Sequence, residues 1–146
     1  MMTVEEAKKA DLSNDERIIL GSSIYAGRMQ GGKILDQYQD KDLYIFTVGL
    51  ALPSDTDYQP TYQVSLSQPL IQKAKFYNFQ SGMDYKKLSL LDKILMFGIK
   101  KFKFDKIPES QWDSSFKTMM DPYFDSFDLM ELNQVQPLIE DLKENK

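Results

Sequence analysis

The chain has 146 residues, 42% of them hydrophobic and 27% charged, the size and balance of one globular domain able to bury a single core. It contains no cysteine, which excludes disulfides, thiolate metal sites and a cysteine nucleophile, and which makes a reducing cytoplasm the expected setting. Histidine is also absent and the net charge is −4, which argues against triad hydrolysis, zinc chemistry and a general nucleic-acid role; redox chemistry would fall to a bound cofactor.

Thr3 and Glu6 have capping-box spacing, so a short helix is expected through about Ala10. These acidic opening residues do not read as a secretory signal, and no stretch is long and apolar enough to span a bilayer. Arg17-Ile18-Ile19-Leu20 is apolar and β-branched and runs into Gly21-Ser22-Ser23, the pattern of a buried strand ending in a polar loop. Residues 31–38 suit a short helix whose paired glycines weaken its start by about 1 kcal/mol each. Leu43–Val48 is a stronger strand, closed by Gly49-Leu50-Ala51-Leu52-Pro53.

Residues 54–62 are polar and contain proline. A helix is expected over 64–73, kinked or delayed by Pro69, and a strand over 75–79. Repetition of strand, loop and helix, with no antiparallel meander, indicates an α/β domain with a mainly parallel sheet. Residues 84–104 place Leu88, Leu91, Leu95 and Ile99 at helical spacing, with Lys86, Lys87, Lys93, Lys100 and Lys101 on the flanks. Such a face ordinarily caps a sheet; the alternatives are contact with an anionic membrane or with a partner. Trp112, Phe116, Tyr123, Phe124 and Phe127 are expected to pack a segment of short helices and loops. Asp55, Asp57, Asp121, Asp125 and Asp128 sit in turn-like contexts without a metal or acid–base role. Asn133 can cap a last helix to about Glu144.

The run Ile18-Ile19-Leu20-Gly21-Ser22-Ser23-Ile24-Tyr25-Ala26-Gly27-Arg28 resembles the flavodoxin-domain family related to the menaquinone-dependent protoporphyrinogen oxidases. The resemblance continues through the Leu43–Leu50 strand and through Gly82-Met83-Asp84-Tyr85 into the apolar helix. It implies one flavodoxin-like α/β domain over residues 1–146, a parallel sheet flanked by helices, with a helical insertion at 85–130 after the last main strand. It further implies flavin mononucleotide (FMN) as cofactor, contacted at the ring by Ser22, Ser23, Ile24, Tyr25, Ala26, Gly27, Gly49, Leu50 and Ala51. Ser22 and Ser23 would donate hydrogen bonds and Tyr25 would stack. No residue is assigned to catalysis or to a metal.

The family pattern begins with a strand and a Ser/Thr-rich phosphate loop, and nothing before Asp15 resembles them, so the domain reads as N-terminally truncated. Loss of three charge-assisted hydrogen bonds, about 1.5–3 kcal/mol each, would weaken FMN binding by several orders of magnitude. The implied function is FMN-dependent electron transfer or an oxidoreductase of protoporphyrinogen oxidase type, with a redox protein or quinone as partner. The alternative is a cofactor-free scaffold acting as an interaction module. An uncovered Ile18–Leu20 edge would favour self-association or an N-terminal segment folded across it. The expected location is the cytoplasm, with peripheral membrane contact through 85–104 as an extension.

Overall fold

The computed structural model describes residues 2–112, 117 and 126–144. Phe116, Asp121, Tyr123, Phe124 and Asp125, named above, lie outside the described residues. The chain divides into two compact units: Met1–Gly49 with Asp57–Phe79 and Leu132–Lys146, and Leu50–Thr56 with Gln80–Glu131.

The first unit opens with α1 (Val4–Ala7), which is shorter than its spacing suggests but carries the expected cap. The Glu6 amide donates to Thr3 Oγ1 at 3.2 Å and the Thr3 amide donates to Glu6 Oε2 at 2.7 Å. Its centre is the parallel pair of β1 (Arg17–Tyr25) and β3 (Asp42–Gly49), in register from Arg17 opposite Asp42 to Ser23 opposite Val48. Between them lie a short return strand β2 (Arg28–Met29) and a 3-10 helix (Gly32–Tyr38). With β4 (Lys75–Gln80) the sheet order is β2-β1-β3-β4. Ring contacts Tyr44 to Tyr77 and Phe46 to Phe79 advance together along β3 and β4, as parallel pairing requires.

Side chains alternate across this sheet. Leu20, Leu43 and Ile45 bury against Tyr58, Tyr62, Leu66 and Leu70 of the segment that carries α2 (Gln59–Ser65) and α3 (Gln68–Lys73). Tyr44 and Phe79 bury on the opposite face against Leu138 of α5 (Gln136–Glu144). Because β3 is covered on both faces, its sequence is a near-continuous apolar run. Two short helices replace the single one expected over 64–73, and each holds its proline, Pro60 or Pro69, in the first turn, where the missing amide leaves no bond unmade.

The expected strand over 17–20 is nine residues long and absorbs the supposed loop as far as Tyr25. Gly21 permits this, since a Cβ there would lie 2.2 Å from the Phe46 ring beside it. The return through β2 is antiparallel, so the sheet is mixed.

The second unit pairs β5 (Met83–Asp84) with β6 (Ser126–Phe127) antiparallel. A 3-10 turn (Tyr85–Lys87) precedes α4 (Leu90–Ile99), and a π-helical stretch (Lys100–Phe104) follows it. The Ser89 hydroxyl caps α4, accepting from the Asp92 amide at 3.1 Å. The expected long helix is therefore three segments, with Ser89 starting the central one.

Asp141 of α5 ties that helix to β4. Its carboxylate accepts from Lys75 Nζ at 2.9 Å and from the Tyr77 hydroxyl. Burial first, then the Asp141 hydrogen bond and charge, hold the Tyr77 hydroxyl well above the usual tyrosine range. Burial raises Tyr62 too, and the Asp141 hydrogen bond raises Lys75. A folded-state value above the unfolded one contributes stability in full below the unfolded value and loses it as pH rises through the folded one. The urea midpoint should hold steady to about pH 10 and fall above it, and Tyr77→Phe should remove part of that fall. A wild-type midpoint still level at about pH 11.5 would contradict this coupling.

Candidate functional site

The carboxyl ends of β1 and β3 lie side by side, with Ser23 opposite Val48 and Gly49 immediately beyond. From Ile24 the chain turns back on itself, pairing Ile24 with Met29 and Tyr25 with Arg28. Ala26 (φ 49°) and Gly27 (φ 75°) are the two turn residues, and positive φ at both is what a tight two-residue hairpin requires. Alanine in this region is strained by about 1–2 kcal/mol, a cost that the surrounding hairpin must offset. A Cβ on Gly27 would meet nothing, so the tip is open on its outer side.

Each predicted residue has a definite place. Ser22 is buried and its hydroxyl serves the hairpin: it accepts from the Gln30 amide at 2.8 Å and donates to the Gln30 or Ser23 carbonyl, each at 3.0 Å. A hydroxyl has one proton, and in the free chain that of Ser22 is engaged within the hairpin. Ser23 is exposed, Ile24 is half-buried against the core, and Tyr25 is 50% exposed at the tip. Gly49 lies against Ile24, whose Cβ would be 3.7 Å from an added methyl. Leu50 and Ala51 belong to the second unit, where the Leu50 carbonyl accepts from Gln80 Nε2 at 3.2 Å.

The hairpin is pinned from below as well as from β1. The Met29 amide donates to Ser65 Oγ at 3.0 Å, and that hydroxyl donates to the Thr61 carbonyl of α2 at 2.6 Å. The sequence signal for the hairpin is the Ala26-Gly27 pair between Ile24-Tyr25 and Arg28-Met29. It is weaker than Asn-Gly because alanine gains nothing in the left-handed region.

Among the described residues, no strand pairs with Arg17–Ser23 on the side away from β3. A groove of about 820 Å³ runs there instead. Met2, Ala7 and Leu12 line one wall, and Ile18, Leu35 and Phe46 are among the others. The groove is mostly apolar in lining residues, and Ile19 beside it is 48% exposed.

The described residues include no group of three or more His, Cys, Asp or Glu side chains that could hold a metal ion. Asp57 and Asp128 instead accept from the Gln59 and Met130 amides, each at 2.9 Å, as turn residues do. Acid–base side chains are likewise sparse at the hairpin tip, where Tyr25 and Arg28 are the titratable residues.

A family model described as a flavodoxin domain matches residues 1–107, which include β1, β3, β4 and the hairpin. The chain belongs to the flavodoxin-domain family. No curated protein and no solved structure matches it. The mixed four-stranded sheet flanked by helices is the flavodoxin-like α/β arrangement, and proteins of this family generally bind FMN. In this flavodoxin-like domain the carboxyl ends of parallel strands, where open α/β sheets carry their ligands, are the ends that bear the hairpin tip and Gly49.

Ser22→Ala should destabilise the domain by about 1–3 kcal/mol, because the Gln30 amide loses its acceptor, while leaving flavin affinity within about twofold once folding is restored by temperature. Denaturant titration and flavin fluorescence separate the two effects. Selective loss of flavin affinity with unchanged stability would return Ser22 to a ligand-contacting role.

Proposed function

We propose that the chain is a flavodoxin-type electron-transfer domain that engages FMN from the ring side, through the hairpin tip and Gly49, with little hold on the phosphate. The observation that carries this is the strained Ala26–Gly27 turn, presented at the carboxyl end of the parallel pair with the Tyr25 ring half-exposed beside it. Bound FMN supplies the electron-carrying chemistry. The chain supplies a flat aromatic surface at Tyr25, backbone of small residues at Ala26, Gly27 and Gly49 that a ring can approach closely, and the Ser23 hydroxyl.

The residues fit a ring better than a phosphate. Residues 2–16 form α1 and turns, and no strand-loop-helix unit among the described residues brings a nest of amides to the tip. A phosphate dianion needs such a nest or paired cations. Affinity for FMN is therefore low in the isolated chain. An oxidase of protoporphyrinogen type, exchanging electrons with a quinone or a redox protein in a reducing cytoplasm, is the enzymatic form of the same reading.

A second reading rests on the β1 edge around Leu20, with which no described strand pairs on the side away from β3: a scaffold that pairs this edge with another copy and needs no cofactor. Around Leu20 an antiparallel pairing would set Arg17 against Ser23 and exposed Ile19 against Gly21, with no like charges facing.

Titration with FMN should quench flavin fluorescence with a dissociation constant in the high micromolar range. Tyr25→Ser should weaken it by about three- to tenfold, the worth of one aromatic stack. Absence of any quenching at millimolar flavin, together with a dimer mass in sedimentation, would overturn this assignment in favour of the scaffold.

A further inference from the structure

Much of the apolar surface of α4 is exposed. On α4, Leu90 is 75% and Leu91 76% exposed, and Ile94, Leu95 and Phe97 are exposed beside them. At about 100° per residue these five span an arc of roughly 160°, and buried Met96 points to the opposite side. The helix therefore buries Met96 and shows solvent its apolar arc. Phe102, just past its end, is 68% exposed and extends the surface.

The charge around this face is opposite to that of the molecule. Residues 85–106 hold seven lysines against two aspartates, in a chain whose net charge is −4. The ammonium groups sit against the apolar face itself: Lys101 Nζ lies 5.5 Å from the Phe97 ring centre and Lys106 Nζ 6.0 Å from that of Phe102. Lys93 Nζ, on the flank of α4, reaches the Tyr85 ring at 6.0 Å and the Lys86 carbonyl at 3.3 Å. Exposed leucines and phenylalanines rimmed by lysines form a hydrocarbon-seeking surface with cations at headgroup height. No described helix is long and apolar enough to cross a membrane, so this surface can lie on a bilayer but not span it.

We propose that the broad face of α4 and Phe102 docks on an anionic lipid bilayer, with the leucine and phenylalanine side chains entering the acyl boundary and the lysines meeting anionic headgroups. A convex ridge that is apolar along its length and cationic at its margins suits a deformable lipid surface better than an acidic protein groove, which would need an acidic wall shaped to each margin. The inference is independent of flavin binding.

The test is co-sedimentation of the full chain with phosphatidylglycerol-containing vesicles and with pure phosphatidylcholine vesicles at about 0.1 M salt. Binding to the anionic vesicles should be at least about tenfold stronger and should fall steeply with added salt. The double variant Leu91→Ser/Phe97→Ser should lose at least about tenfold in affinity with a little-changed circular dichroism spectrum, because Leu91 is largely and Phe97 about half exposed in the free protein. Lys100→Glu/Lys101→Glu should abolish the preference for anionic lipid. No binding to anionic vesicles at millimolar lipid, or binding that ignores the Leu91 and Phe97 substitutions, would overturn the proposal.

Discussion

The parallel register between β1 and β3 is the constraint from which the other features follow. Seven consecutive residue pairs, from Arg17 with Asp42 to Ser23 with Val48, bring both strands to the same end of the sheet. That alignment decides that the Tyr25–Arg28 reversal and Gly49 are neighbours. A slip by one residue would turn Leu20 out of the core and Ile19 into it, so burial of Leu20, Leu43 and Ile45 against α2 and α3 fixes the site as well as the fold.

What stabilises the hairpin and what it can offer a ligand are different groups. Ser22, Ser65 and the Met29 and Gln30 amides hold it from the inside, and their hydrogen-bonding capacity is consumed there. The tip is left with a half-exposed aromatic ring, one free-standing turn and small residues. Such a surface suits a flat, weakly polar ring better than a phosphate dianion, for which Arg28 is the one cation at the turn. The split between a ring-side surface and a phosphate grip is a property of which backbone amides are available, and not of overall fold.

Much of this was legible in the residues. The apolar β-branched run at Ile18–Leu20 and the doubly buried run at Leu43–Val48 announced the parallel pair, and Thr3 with Glu6 announced the cap of α1. Gly21-Ser22-Ser23 misled, because polar and flexible residues also occur in a strand when glycine leaves room for a neighbouring ring and a buried serine finds internal partners. The helix at Gln59–Ser65 was hidden by Pro60, which reads as a breaker until it is placed in the first turn. Helical periodicity in 88–99 revealed an apolar stripe but not which way it faces. Periodicity records where apolar side chains lie on a helix and not what covers them.

The most direct measurement compares the binding of riboflavin and FMN, which differ only by the phosphate, under identical conditions. If the ring is recognised without a phosphate grip, the two dissociation constants should agree within about threefold, less than 1 kcal/mol. FMN binding about a hundredfold more tightly than riboflavin, close to 3 kcal/mol, would contradict the account by revealing a phosphate site that the hairpin and its surroundings do not supply.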